Sequence, residues 1–255
     1  MKSAQRITAN VTLLNFWKDR NLGNPSQLDR YSANNVSFLF AWLAHKLHLA
    51  PNHLSVLSGV VAAVAFGLGI FLPATELLGP LLLVIMTAQI AHLLDCADGQ
   101  LARSTNQESD FGAFLDVGVD AASSVLALGG VFVLAARHYT ALNDLTTSNW
   151  VLLVGFIFLV CRSARFFVWQ KFSYTYQDLE NSGDTLPGPV HRALIILMDH
   201  QTSLAAVLVL LVSPYLALVL FGIQTSVLLM AYVRYFFRAY RIEQSKLRSK
   251  RDIIE

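Results

Sequence analysis

The sequence predicts an all-α integral membrane protein, with six transmembrane helices preceded by a cytoplasmic interfacial amphipathic helix. Three observations lead there. Of 255 residues, 55% are hydrophobic and only 14% charged, against about a quarter charged in an ordinary soluble domain. Mean hydropathy is +0.49. The apolar residues also gather in runs of roughly 20, the length at which a helix crosses the hydrocarbon core of a bilayer. A net charge of +2 offers no basic surface for nucleic acid. Both cysteines, Cys96 and Cys161, fall inside apolar runs, so no disulfide framework is expected.

In chain order, residues 1–30 read as a polar cytoplasmic N-terminal arm, broken at Gly23-Asn24-Pro25. The arm carries Lys2, Arg6, Lys18, Arg20 and Arg30, with no apolar stretch long enough for a cleavable signal. From Ser32 to Leu49, Val36, Leu39, Phe40, Leu43 and Leu47 recur at helical spacing, interrupted by His45, Lys46 and His48. That segment is too short and polar to span, and suits the membrane interface. Pro51-Asn52 opens the first span. Six spans are expected at roughly 53–73, 77–97, 111–136, 149–170, 192–213 and 215–238, with Asp199 and His200 interrupting the fifth. Residues 31–240 form one membrane domain without internal repeats, and 241–255 a basic cytoplasmic tail.

Lys and Arg set the orientation, because cytoplasmic loops carry their excess. Six precede the first span, Lys46 being the sixth, and seven lie between Arg234 and Arg251. Arg103 joins spans two and three, while Lys171 and Arg192 flank the connection between four and five. Arg137 alone falls on the other side. A multi-pass protein of the cell membrane follows, with both termini and the second connection in the cytoplasm.

That connection holds the most informative stretch, Asp95 to Asp120, which reads DCADGQLARSTNQESDFGAFLDVGVD. Asp95 and Asp98 are three apart and Asp116 and Asp120 four apart, so each pair shares one helical face. Two helices joined by a short turn bring the four carboxylates together. Ionised groups at membrane depth are expensive and mark functional sites, and four acids in one place repel unless cations sit between them. Mg²⁺, or Mn²⁺, fits: these ions take hard oxygen ligands and leave positions open for phosphate oxygens. Asp110 reads as the N-cap of the third span. Gly99, Ala102 and Gly112, taken alone, also suit close helix packing. His53, His92, His191, His45 and His48 lack a partner at metal-ligand spacing.

The stretch matches D-x2-D-G-x2-A-R-x8-G-x3-D-x3-D at every fixed position: Asp95, Asp98, Gly99, Ala102, Arg103, Gly112, Asp116 and Asp120. It resembles the signature of the CDP-alcohol phosphotransferase family, integral membrane enzymes of phospholipid biosynthesis. Pro51-Asn52-His53-Leu54-Ser55 is similar to the P-N-x-x-T/S box that opens that family's first span. The resemblance implies a transferase that releases CMP and uses two divalent ions held by Asp95, Asp98, Asp116 and Asp120, with Asp120 also the general base. It implies that Asn52, Ser55, Gly99, Ala102, Arg103, Ser109 and Gly112 line the CDP site, Arg103 offering a planar guanidinium to the pyrophosphate. A homodimer is implied as well.

For the acceptor, Arg162 and Arg165 share a face late in the fourth span and Arg192 starts the fifth, a set able to receive a phosphorylated alcohol. Ala164-Arg165-Phe166-Phe167 lacks the acid found at this point in some relatives with phosphorylated acceptors, so the acceptor stays open. The expected donor is CDP-diacylglycerol and the acceptor a small polar alcohol. The alternatives are transfer of a CDP-linked head group of choline or ethanolamine type to a lipid alcohol, or a silent or ion-coupled carrier relative.

Overall fold

The computed structural model of the protein describes residues 12–19, 33–175 and 213–252. Among these residues there are helices and no strands: α1 (Leu13–Asp19), α2 (Asn34–Lys46), α3 (Pro51–Phe71), α4 (Leu78–Thr105), α5 (Asp110–Ala141), α6 (Leu145–Thr175) and α7 (Pro214–Asp252). Four segments are long and apolar enough to cross a membrane, namely α3, α4, α5 and Leu145–Ala164 of α6. Pro214–Met230 at the start of α7 is a shorter apolar helix. The first four expected spans and the sixth thus meet helices. The fifth, save for its last residue, lies outside the described residues.

Local chemistry explains the helix ends. Pro51 occupies the first turn of α3, where its missing N–H leaves no hydrogen bond unmade. His53 accepts the Ala50 N–H through Nδ1 at 3.2 Å, closing one orphan donor of that helix end. The histidine therefore has a capping role that its lack of metal-ligand spacing left undefined. At the other end of the motif helix, Asn106 takes a left-handed conformation, φ 53°, and stops α4. Asn143 does the same after α5, and Asp144 then caps α6 by accepting the Thr147 N–H at 3.0 Å. Those Thr147 hydrogen bonds hold the Asp144 carboxyl below its usual range.

The chain divides into two compact units between Leu134 and Ala135. In the first, α4 packs against α2 and α3, and α1 packs on α2 and α4. Phe16, Ala41, Ala44, Leu54, Leu94, Ala97 and Leu101 form one buried cluster. Nothing in the pattern of the polar arm predicts a helix, yet α1 inserts Phe16 there with 0% of its surface exposed. Burying such a side chain contributes about 1.5–3 kcal/mol, enough to hold a seven-residue helix that would not form alone. Val36, Leu39 and Leu43 of α2, with Leu47 just past its end, are exposed along one stripe, as an interfacial helix requires.

Helix α5 lies along α3 with almost no side-chain spacer. A Cβ on Gly69 would overlap the Gly130 backbone, and one on Gly130 would come within 2.7 Å of the Ala65 carbonyl oxygen. Small residues at such a crossing let two backbones touch. In the second unit α6 packs on α7, with the buried Phe158 and Phe221 rings edge-on at 5.2 Å.

Candidate functional site

The turn Asn106 to Ser109 folds α5 back beside α4, and the N-terminus of α3 closes the third side. Ser109 starts α5: its Oγ accepts the Gly112 N–H at 3.0 Å and its carbonyl accepts from Ala113. The cap is therefore Ser109 and not Asp110, which is already the first helical residue. The serine is one position better placed to reach the third N–H of the helix.

This folding brings Asp95, Asp98 and Asp116 together, with one carboxylate oxygen of each lying within 4.8 Å of the others. Asp120 stands outside that trio but is close enough to interact electrostatically with Asp95 and Asp116. Asp98 is buried and receives the Ser55 hydroxyl at Oδ2, 2.5 Å away. Asp95 Oδ1 is buried and accepts no hydrogen bond from any described residue. A buried carboxylate oxygen without a donor is costly, and a cation supplies what the protein does not. Three hard oxygen donors at this spacing, from carboxylates of which Asp95 keeps an oxygen without a hydrogen-bond donor among the described residues, fit a divalent ion of the magnesium type.

Beside the carboxylates lies a cavity of about 170 Å³. Its walls include every residue expected to contact CDP (Asn52, Ser55, Gly99, Ala102, Arg103, Ser109 and Gly112), together with Asp98 and Asp116. Pro51, Gln107, Glu108 and Ala113 also line it. Gln107, Glu108 and Ala113 escaped the sequence reading because they are free positions between fixed ones, and Pro51, a fixed position of the opening box, was read only as the start of the first span. The expectation that α3, α4 and α5 converge at the motif could have found them.

The glycines in the wall have definable neighbours. A Cβ on Gly99 would stand 3.0 Å from an Arg103 guanidinium nitrogen, so the arginine folds back over the glycine one turn before it. A Cβ on Gly112 would meet Ser109 Oγ at 3.0 Å and Asn52 Oδ1 at 3.1 Å, so this glycine lets the α3 amide approach the start of α5. Arg103 Nε is buried without a hydrogen-bond partner among the described residues. A guanidinium held so, over a cavity edged by carboxylates, is arranged to receive an anionic oxygen.

Arg162 lies in α6 of the second unit, Arg165 follows it with a side chain outside the described atoms, and Arg192 lies outside the described residues altogether.

Comparison with known families gives one result: the family described as CDP-alcohol phosphatidyltransferase matches residues 48–237. Among curated proteins, none matches the chain. The matched range opens just before α3 and covers both halves of the aspartate motif.

Proposed function

The chain belongs to the CDP-alcohol phosphatidyltransferase family, and from that premise we propose that it moves a phosphatidyl group from CDP-diacylglycerol to a small polar alcohol and releases CMP. Members of the family are membrane-bound transferases of phospholipid biosynthesis that use a divalent metal. The observation that carries the finer reading is the convergence of Asp95, Asp98 and Asp116 beside a cavity whose buried Arg103 Nε has no hydrogen-bond partner among the described residues.

In this reading Asp95, Asp98, Asp116 and Asp120 would hold divalent ions, Mg²⁺ or Mn²⁺ and two in number. Bound there, such ions polarise the diphosphate and neutralise charge on the entering and leaving oxygens. The chain's own residues do the rest. Arg103 grips the diphosphate with two parallel N–H donors. Ser55 fixes the Asp98 carboxylate through its hydroxyl. Asn52, Gly99, Ala102, Ser109 and Gly112 surround the nucleotide. Asp120, outside the close trio, takes the proton of the acceptor hydroxyl. The acceptor oxygen forms its bond to the phosphorus bearing the lipid as the bond from that phosphorus to the bridging oxygen breaks, and CMP leaves with the bridging oxygen. Catalysis of this kind rests on positioning and charge neutralisation.

The basic residues on the arm and tail orient the site to the cytoplasm, Arg162, Arg165 and Arg192 are assigned to the acceptor, and the working assembly is a homodimer. The test is CMP release by purified protein in liposomes with CDP-diacylglycerol, Mg²⁺ and one acceptor at a time: glycerol 3-phosphate, inositol phosphate, inositol, serine or glycerol. Release with one acceptor, abolished by chelation and by Asp120→Asn, supports the reading. Turnover only with CDP-choline or CDP-ethanolamine plus diacylglycerol overturns the donor assignment, and silence with both donor classes overturns transfer.

A further inference from the structure

Helix α4 has two working faces. Successive residues turn by about 100°, so Asp95, Asp98, Gly99 and Arg103 cover one side and Leu94, Ala97, Gln100 and Leu101 the other. The first side faces the cavity and the carboxylate cluster. The second is gripped by the two helices that precede the spans. Phe16 of α1, fully buried, shares one apolar cluster with Leu94, Ala97 and Leu101. Gln100, 1% exposed, donates from Nε2 to Ser37 Oγ at 2.7 Å and to Asn34 Oδ1 at 3.4 Å, both buried residues of α2. Ser104 Oγ reaches Asp19 at the end of α1, 3.5 Å away.

We infer that α1 and α2 form a collar that sets the rotation of the motif helix, and that Phe16 and Gln100 are positioning residues for the metal and diphosphate site. The inference rests on the transferase reading above. Two ligands of the trio, Asp95 and Asp98, ride on α4, while Asp116 rides on α5. Side-chain ends stand about 5–6 Å from a helix axis. A 10° turn of α4 therefore moves both aspartates by about 1 Å relative to Asp116. Metal ligands tolerate only about ±0.2 Å, and a displacement of about 1 Å in a positioned group costs up to about 100-fold in rate. A collar bound to the far side, by packing at Phe16 and by a directional hydrogen bond at Gln100, resists that rotation. Apolar packing alone is non-directional. The buried amide supplies the angular restraint, which gives a physical reason for placing glutamine amid the apolar residues of that face.

The test is equilibrium binding of Mn²⁺ alone to the purified full-length protein, read as free-ion electron paramagnetic resonance, with thermal unfolding and CMP release measured alongside. Phe16→Ala is expected to weaken Mn²⁺ about tenfold, as loss of an outer support does, and to raise the metal concentration that half-saturates CMP release in parallel. Phe16→Leu restores the apolar bulk and is expected to return both to within about threefold of wild type. Leu14→Ala, on the exposed side of the same helix, leaves both unchanged. A Phe16→Ala protein that melts lower but binds Mn²⁺ like wild type while folded would overturn the inference, since a merely structural residue lowers the folded fraction and not the ion affinity. Should Phe16→Ala not fold, Ser37→Ala takes its place. It removes the 2.7 Å acceptor of Gln100, and wild-type affinity there is equally decisive against the collar. Wild-type protein that neither binds Mn²⁺ nor releases CMP would instead sink the transferase reading itself.

Discussion

Ser55→Ala tests how the carboxylate cluster is held. The hydroxyl lies 2.5 Å from Asp98 Oδ2, both residues are buried, and the serine follows Pro51 by one turn, so α3 places it rigidly. A hydrogen bond to a charged group contributes about 1.5–3 kcal/mol. At about 1.4 kcal/mol per decade, its loss amounts to roughly a 10- to 100-fold weakening of whatever Asp98 binds. Loss of an outer-shell partner of a metal ligand falls in the same range of about 10–100-fold. The two routes agree. The assay is Mn²⁺ affinity, with the Mg²⁺ dependence of CMP release beside it, and Ser55→Thr, which keeps a hydroxyl, as the companion expected to stay near wild type. Unchanged ion affinity in Ser55→Ala with a raised KM for the CDP donor would refute the reasoning. Ser55 would then be the nucleotide contact that the opening P-N-x-x-S box implied, and its approach to Asp98 incidental. No change in either quantity would remove Ser55 from the site.

Further outcomes follow from the same structure. Asp120→Asn keeps the shape and removes the base, so turnover is expected to fall at least about 100-fold with thermal unfolding unchanged; retained turnover would move the base elsewhere. Arg103→Lys keeps the charge but loses the planar fork, and is expected to raise the KM for the CDP donor by roughly tenfold, read from initial rates of CMP release. Gly69→Ala sets a methyl against the Gly130 backbone and is expected to destabilise the first unit by about 1–3 kcal/mol, seen as a lower unfolding temperature. His45 packs against Phe16 with ring centroids 5.8 Å apart, and burial, then the charges of Lys46 and His48, lower its pKa from 6.5. Folding thus favours the neutral ring. Its contribution is whole above pH 6.5 and is lost as pH falls from there toward the folded pKa, so acidification loosens α1 and His45→Gln flattens that pH dependence of the unfolding temperature.

The fold and the site were legible in the sequence to different depths. Spans of about 20 apolar residues declare themselves because the bilayer fixes their length, and α3, α4, α5 and the apolar part of α6 follow. The motif was legible because it specifies residue type and offset together. All seven CDP positions come to one cavity wall because the offsets place them on facing sides of three helices and a turn. What escaped is what tertiary contact decides. Helix α1 has seven residues in a polar arm, and only the cluster behind Ala97 gives Phe16 a place to go. The Ser109 cap was misplaced by one residue, since Ser109 and Asp110 are equally good capping types and backbone geometry chooses between them. Nothing in a single sequence ties Ser55 to Asp98 across 43 residues.

The small residues of the motif show why neither the packing reading nor the ligand reading suffices alone. Had Gly99 and Gly112 served only close packing, helix backbones should meet at them, as they do at Gly69 and Gly130. They do not. Gly99 gives its space to the Arg103 guanidinium and Gly112 to polar atoms of Ser109 and Asn52, and both glycines, with Ala102, face the cavity. A side chain at either glycine would displace a polar group aimed at the cavity without disturbing a helix crossing. Small size here keeps a guanidinium and an amide at the wall of the cavity. At Gly69 and Gly130 it brings two backbones together. One residue type thus meets two separate demands, and the neighbour that fills the missing Cβ tells them apart.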